Sequence, residues 1–416
     1  MTPEGWRTDR LGSLLDGIDA GWSPQCEGRP ANDDEWGVLK VSAVTSGVYR
    51  PTENKALPSS QVPKPELEVH DGDLLLARAN GVLELVGRTA IVRHTRPRLM
   101  LSDKILRIRP RNATADAAFL HALLSSSSAR DRLTTVTGGS HMRNISQGAL
   151  RDLHVCCPPL GEQRKIAAIL SSVDDAIEAT QAVIDQLQVV KKAMMTELLT
   201  RGLPGRHTRF KKTEIGEVPE EWHIASIGEL AEFSGGKGFT PRDWASAGLP
   251  IIRIQNLNGS KDFNYYAGQP DDDWLVQPGT LLFAWAGSRG ASFGPCIWPG
   301  PLGVLNQHIH RLAPDRRRVS KLFMYYLLRL VTEEVEKRAH GFKDTLVHLR
   351  KSELTGWPVA LPPLNEQEKI VELLEAIGSR ISVEQAALES LKSAKTTLAQ
   401  ALLTGEIRVT PDEAAP

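Results

Sequence analysis

The sequence predicts an α+β protein built on an internal repeat: two similar mixed α/β domains separated by two long antiparallel coiled-coil helices, with pseudo-two-fold symmetry. Three observations predict this. The 43-residue block from Pro158 to Thr200 returns without a gap as Pro362 to Thr404, with 16 identities. Both copies carry apolar residues at alternating steps of four and three, the period of a coiled-coil seam. The segments between hold short apolar runs bounded by Gly, Pro and Asp, the pattern of strands in a mixed domain.

Residues 1–157 form a first globular region and residues 213–361 a second. Pro3-Glu4-Gly5-Trp6 and Leu11-Gly12 in the first correspond to Pro219-Glu220-Glu221-Trp222 and Ile227-Gly228 in the second. Gly72-Asp73-Leu74-Leu75-Leu76-Ala77 likewise resembles Gly279-Thr280-Leu281-Leu282-Phe283-Ala284. Strands are expected at Gly37-Val38-Leu39-Lys40-Val41, Thr89-Ala90-Ile91-Val92 and Pro250-Ile251-Ile252-Arg253-Ile254. A helical stretch is expected near each domain's end, around Ala117–Leu133 and Val319–Arg338.

Long helices follow over 158–203 and 362–407, with a linker at 204–212 and a tail at 408–416. Each helix begins after Pro-Pro, which suits the approach to a helix but not its interior. Asn365 is the expected N-cap of the second, with Glu368 completing a capping-box-like pair, and Gly161 is the weaker cap of the first. The seam residues are Leu170, Val173, Ile177, Ile184, Leu187, Met194 and Leu198, then Leu374, Ile377, Ile381, Leu388, Leu391, Leu398 and Leu402. Its polar exceptions also match, Thr180 with Glu384 and Lys191 with Lys395, and polar seam residues can fix register at a cost in stability. A helix of about 39 residues is about 58 Å long at 1.5 Å per residue. Such helices can form a generic dimerisation coiled coil or an intramolecular antiparallel pair, and the duplication favours the pair.

A length of 416 residues allows roughly two to four domains of about 100–200 residues each. Hydrophobic residues at 41% and charged residues at 24% are ordinary globular values, which excludes global disorder. No apolar run approaches the roughly 18 residues of a membrane span, and a cytoplasmic protein without membrane contact is expected. The cysteines, Cys26, Cys156, Cys157 and Cys296, form no Cys-x-x-Cys, and reduced thiols are the simplest reading. Fifty basic and fifty acidic residues cancel, so the chain lacks the footprint of a nonspecific nucleic-acid coat. Any DNA contact must come from local patches or be shared with a basic partner.

Catalytic motifs are scarce. The sequence holds no Gly-Lys-Ser/Thr phosphate cradle and no Asn/Asp-Pro-Pro-aromatic tetrad of an amino-methyltransferase. Its Glu-x-Lys triplet, Glu53-Asn54-Lys55, precedes every Pro-Asp pair, which argues against a nuclease centre. His308-Ile309-His310 places two imidazoles on one strand face, but no third ligand has suitable spacing, so structural or polar-contact histidines are expected and no metal.

Residues 88–111 concentrate Arg88, Arg93, Arg96, Arg98, Lys104, Arg107, Arg109 and Arg111 against a single acid, Asp103, forming either a solvated strand face or a phosphate-facing edge. In the second domain, Trp285-Ala286-Gly287-Ser288-Arg289-Gly290 and Asn306-Gln307-His308 supply side chains able to read base edges; ordinary loop chemistry is the alternative. The repeat places Arg78-Ala79-Asn80-Gly81 and Ser102-Asp103-Lys104 at the corresponding positions of the first domain. Gly138-Gly139-Ser140-His141-Met142-Arg143-Asn144, with Gly341-Phe342-Lys343 opposite, is a further candidate pair of loops. The candidate DNA contacts are thus Arg78, Asn80, Arg88, Lys104, Ser140, His141 and Arg143, with Trp285, Ser288, Arg289, Asn306, Gln307, His308 and Lys343.

Over nearly its whole length the chain resembles the specificity subunits of type I restriction–modification systems. The repeated Pro-Pro-Leu-x-Glu-Gln-x-x-Ile, followed by a heptad helix ending in Leu-Leu-Thr, carries the resemblance together with the openings Trp6–Gly12 and Trp222–Gly228. It implies a non-catalytic subunit with two target recognition domains, each reading one half of a split double-stranded DNA sequence. The helices would act as a spacer and dock two adenine-methylating subunits, through seam residues such as Leu170, Ile177, Ile184, Leu187, Leu198, Leu374, Ile381, Leu388, Leu391 and Leu402. No cofactor is expected on this chain; S-adenosylmethionine, ATP and Mg are implied for its partners, which can include ATP-driven restriction subunits. The alternative is a coiled-coil scaffold that does not read DNA.

Overall fold

The computed structural model describes residues 3–135, 137, 143–338 and 346–411. The chain divides into two units, one formed by Met1–Gln181 with Ala386–Pro416, the other by Ala182–Gln385. Each unit combines one globular domain with a half of each long helix.

In the first unit, the strands Leu15–Ala20, Ile105–Pro110, Leu74–Ala77 and Thr89–Ile91 make an antiparallel sheet in that order. Asn54–Ala56, Gly37–Leu39 and Leu99–Met100 make a second sheet whose last pair is parallel. Arg7–Arg10 pairs with His154–Cys157, so the domain's beginning and end meet in one ribbon. A short ribbon joins Ala79–Asn80 to Arg143–Asn144.

The second unit repeats this pairing with other residues. Ala231–Gly235, Ile309–Pro314, Leu281–Ala284 and Gly294–Ile297 form the first sheet. Tyr265–Tyr266, Leu249–Ile252, Gly303–Leu305 and Leu275–Val276 form the second. His223–Ser226 closes onto Pro358–Leu361, and Ala286–Ser288 pairs with Leu346–His348.

The matching runs Leu74–Ala77 and Leu281–Ala284 are central strands buried on both faces, which is why they are apolar without alternation. Their side chains still alternate in direction. Leu74 and Leu76 pack with Phe119 and Leu120, whereas Leu75 and Ala77 pack with Val44 and Leu99. Likewise Leu281 and Phe283 pack with Phe323 and Leu327, and Leu282 and Ala284 with Ile252 and Trp298. One strand therefore serves two cores.

The expected helix around Ala117–Leu133 is two helices, Ala117–Ser125 and Ser127–Thr135. Ser126 divides them: its hydroxyl donates to Leu123 O at 2.7 Å and accepts from Ala129 N at 3.3 Å, ending one helix and starting the next. The counterpart in the second domain is a single helix, Lys321–Arg338.

The long helices run over Leu160–Arg201 and Leu364–Thr404, 42 and 41 residues. They begin directly after Pro-Pro, so Gly161 and Asn365 lie inside the first turn and are not the caps. Pro159 and Pro363 take the cap position, where a missing N–H costs nothing, and their carbonyls accept from Gln163 N at 3.0 Å and Gln367 N at 3.1 Å. Leu170, Leu198, Leu374, Ile381, Leu388, Leu402 and Ile184 are buried, while Ile177, Leu187 and Leu391 are half-buried. In the first unit Leu170 shares a core with Leu402 and Leu403, and in the second Leu198 shares one with Ile370 and Leu374. Each unit thus holds an antiparallel helix pair. Lys395 donates to Asp174 at 2.5 Å, so this charged seam residue is neutralised where it is half-buried.

Candidate nucleic-acid interface

The repeated Glu-Gln of each long helix ties that helix to its domain. Gln163 Oε1 accepts from Asp116 N at 3.0 Å, while its Nε2 donates to Thr114 O and Pro158 O at 3.0 and 2.9 Å. Gln367 does the same with Ser320 N at 2.9 Å, Arg318 O at 2.8 Å and Pro362 O at 3.0 Å. Asp116 and Ser320 are the cap residues of the first domain's Ala117–Ser125 helix and the second domain's Lys321–Arg338 helix. A side-chain amide matches this site because it presents both an acceptor and donors. The preceding glutamate accepts the indole N–H of the domain's opening tryptophan, and Arg408 adds a bidentate pair to Glu162 at 2.8 and 3.0 Å. That pairing holds the Glu162 carboxyl below the usual carboxylate range.

On this frame, the second domain gathers its candidate loops around Trp285. The backbone N–H of Trp285 donates to His308 O at 3.2 Å, and Leu349 N donates to Trp285 O at 2.9 Å. Its indole N–H donates to Gln307 O at 3.1 Å. The ring lies 5.2 Å from His308, 6.0 Å from His348 and 6.2 Å from His310, the last stacked. Trp285 therefore holds the loop, and the exposed groups are those around it. Gln307 and Ser288 are exposed, Asn306, His308 and Arg289 half-buried. Ser288 N donates to Ser292 Oγ at 2.7 Å, tightening the hairpin that carries Arg289. Burial and the nearby Lys351 charge push His310 below the ordinary imidazole range, so it packs as a neutral ring. Among the described residues, no group of three or more His, Cys, Asp or Glu side chains is placed to hold a metal.

The first domain builds the same corner with different side chains. Arg78 N donates to Lys104 O and Ile145 N to Arg78 O, both at 2.9 Å, as at Trp285. Arg78 Nε donates to Asn144 Oδ1 at 3.1 Å, and Asn80 pairs with Arg143. Arg78, Asn80, Lys104 and Arg143 are thus brought together. Arg88 lies just before the neighbouring strand, its carbonyl accepting from Ala77 N at 2.8 Å and its Nε donating to Glu84 O at 3.3 Å. Ser140, His141 and Lys343 lie outside the described residues.

The arginines of 88–111 do not line one edge. Half-buried Arg107 pairs with Asp19 at 3.0 Å and Asp73 at 3.3 Å and donates to Glu66 O and Glu68 O, bracing the sheet. Arg96 donates to Glu35 O at 3.0 Å, Arg98 to Asp34 O, and Arg93 pairs with Asp175 at 2.8 Å. The carboxylates and main-chain carbonyls that engage them lie elsewhere in the chain, so the local excess of positive charge is largely compensated within the fold.

Sequence reasoning also missed one segment. The loops Gly21-Trp22-Ser23 and Gly236-Lys237-Gly238 cross the backbone of Leu101-Ser102 and Leu305-Asn306, next to the candidate readers. A Cβ at Gly21 or Gly236 would collide with those main chains, so a side chain is excluded there. The signal available was a glycine ending the strand-forming run at the same point of both repeats.

Two similarly built corners of amide, hydroxyl, imidazole and guanidinium groups thus recur on two repeated domains, each tied to a long helix. The chain belongs to the type I restriction modification DNA specificity domain family, whose model matches residues 3–189 and 219–393. It is 38% identical over 196 residues to the Escherichia coli type I restriction enzyme EcoEI specificity subunit, spanning 46% of this chain and 32% of that protein. Over 424 residues it is 26% identical to the Methanocaldococcus jannaschii MjaVIII specificity subunit, with 98% and 94% covered. The fold matches a chain from a structural study of complex assembly and conformational transition of the type I R-M system, with TM-score 0.59, 18% identity and 98% and 100% covered. It also matches the type I S subunit of M. genitalium, with TM-score 0.55, 14% identity and 95% and 96% covered. The chain is a specificity subunit for DNA target recognition, a non-catalytic component whose systems place catalysis in partner subunits. Among the described residues, no helix is long and apolar enough to cross a membrane.

Proposed function

We propose that the chain reads a split double-stranded DNA target, residues 1–157 contacting one half-site and residues 213–361 the other. Arg78, Asn80, Arg88, Lys104, Ser140, His141 and Arg143 serve the first half-site. Trp285, Ser288, Arg289, Asn306, Gln307, His308 and Lys343 serve the second, with Trp285 positioning the loop. The helices 158–203 and 362–407 set the gap between half-sites and dock two adenine methyltransferase subunits in the cytoplasm. Those subunits carry S-adenosylmethionine, and ATP-dependent restriction subunits join them.

The observation that carries this reading is the recurrence of one backbone corner with different side chains. Arg78 and Trp285 occupy the same hydrogen-bonded position, between Lys104 and Ile145 in one domain and between His308 and Leu349 in the other. Conserved main chain with divergent side chains is what two readers of different base sequences require. A genome-wide map of methylated adenines, with and without the gene, in a host carrying its methyltransferase tests the reading. Methylation at one split motif should vanish on deletion; an unchanged map in an expressing host would refute it.

A further inference from the structure

Lys237 occupies an unusual setting beside Asn306 and Gln307. Its backbone N–H donates to Leu305 O at 2.8 Å. Its Nζ lies 5.0 Å from the ring centre of Tyr266, 5.4 Å from Trp274 and 5.5 Å from Phe239. The rings meet one another at tilted or edge angles with centres 5.2, 5.6 and 5.6 Å apart. They come from three separate segments, so the fold converges on this ammonium. Asp243 is at 4.0 Å, the outer limit of an ion pair, and its carboxylate accepts from Thr240 N and Oγ1 at 2.8 Å. Aromatic faces hold a cation without cancelling its charge. The side chain keeps 39% of its exposure, so the charge still faces solvent.

The first domain places a cation–π pair at the same backbone position. Trp22 N donates to Leu101 O at 3.0 Å, as Lys237 N does to Leu305 O, and Lys64 Nζ stands 4.7 Å over the Trp22 ring. Here the loop supplies the ring and another segment the lysine; in the second domain the roles are exchanged. The chemistry recurs where the residues do not. A packing role alone would be met by an apolar side chain, whereas a fixed point charge beside loops that face DNA suits a phosphate.

We propose that Lys237, and Lys64 in the first domain, are preorganised contacts to the DNA backbone flanking the base-reading loops. This rests on the recognition reading above. The test uses the complex assembled with its methyltransferase partner and two duplexes, one carrying the methylated split motif and one scrambled. Lys237→Met should weaken binding to both by a similar factor, about three- to tenfold, and reduce the slope of log K against log salt by about one. Lys237→Arg should retain the slope. If Lys237→Met leaves the slope unchanged, or weakens only the target duplex, the phosphate contact is refuted. Should Lys237→Met lower the melting temperature, exposed Lys64→Met decides by the same slope criterion. Wild-type complex that fails to distinguish the duplexes would sink the recognition reading instead.

Discussion

The indole N–H of Trp222 donates to Glu366 Oε2 at 3.3 Å, closing the first residues of the second domain onto the first turn of its helix. Trp6 and Glu162 repeat the bond at 3.2 Å in the first unit. The surroundings differ. Glu366, 1% exposed, also meets His207 at 2.8 Å and Arg206 at 3.4 Å, residues that follow the first long helix. Glu162 takes Arg408, which follows the second. The short segments after each helix therefore complete each domain's anchor.

Removing Glu366 should be costly, because it strands the buried indole N–H of Trp222, the buried His207 ring and the Arg206 guanidinium. Glu366→Ala is expected to lower stability by about 1–3 kcal/mol, the cost of leaving buried hydrogen-bonding groups unsatisfied. Glu366→Gln should lose less, since the amide oxygen still accepts from Trp222. Thermal unfolding of the three proteins checks this, and equal melting temperatures for wild type and Glu366→Ala would show that the anchor contributes nothing.

Asp174 and Lys395 pair in the first unit, but the repeat of Asp174 is Gly378, beside Lys191 in the second. A Cβ at Gly378 would stand 3.0 Å from Lys191 Nζ, the far end of a long side chain, so a side chain fits with a small shift. Gly378→Asp should recreate the ion pair and remove a mid-helix glycine, stabilising by about 0.5–1 kcal/mol. A lower melting temperature than wild type would contradict the geometry.

Deleting one heptad from each long helix, residues 177–183 and 381–387, removes about 10 Å of helix at 1.5 Å per residue. If helix length sets the gap, methylated half-sites should approach by about 3 base pairs at 3.4 Å each, or assembly should fail. Adenine-methylation mapping reads the result; full activity with an unchanged gap would end the spacer idea.

Much of this architecture was legible because repeats and heptads are local patterns that survive without tertiary knowledge. The central strands Leu74–Ala77 and Leu281–Ala284 showed as matching apolar runs for the same reason. Helix starts were misjudged because Asn365 is a good cap by type, yet the Pro-Pro rigidity places the cap two residues earlier. The arginine run looked unpaired because partners such as Asp19, Asp73 and Asp175 lie away from it in sequence. Lys237 escaped notice because its three rings come from separate segments, and no spacing rule brings Phe239, Tyr266 and Trp274 together.

The final prediction concerns pH. His121 Nδ1 lies 2.9 Å from Thr89 Oγ1 in the first domain. Burial, then the Lys395 charge, pushes its imidazole down to about 4 from an ordinary 6.5. The folded state therefore prefers the neutral ring, while the unfolded chain takes up a proton below about pH 6.5. Stability from this group is fully present above pH 6.5 and is lost as the pH falls toward 4. Within that window the unfolded state binds more protons, so the loss is about 1.4 kcal/mol per pH unit at most. His121→Asn removes the titration while keeping a polar partner for Thr89. The unfolding free energy of wild type should therefore fall relative to that of His121→Asn as the pH is lowered from 7 to 5, whatever their offset at neutrality. A constant difference across that range would show that His121 titrates alike in both states.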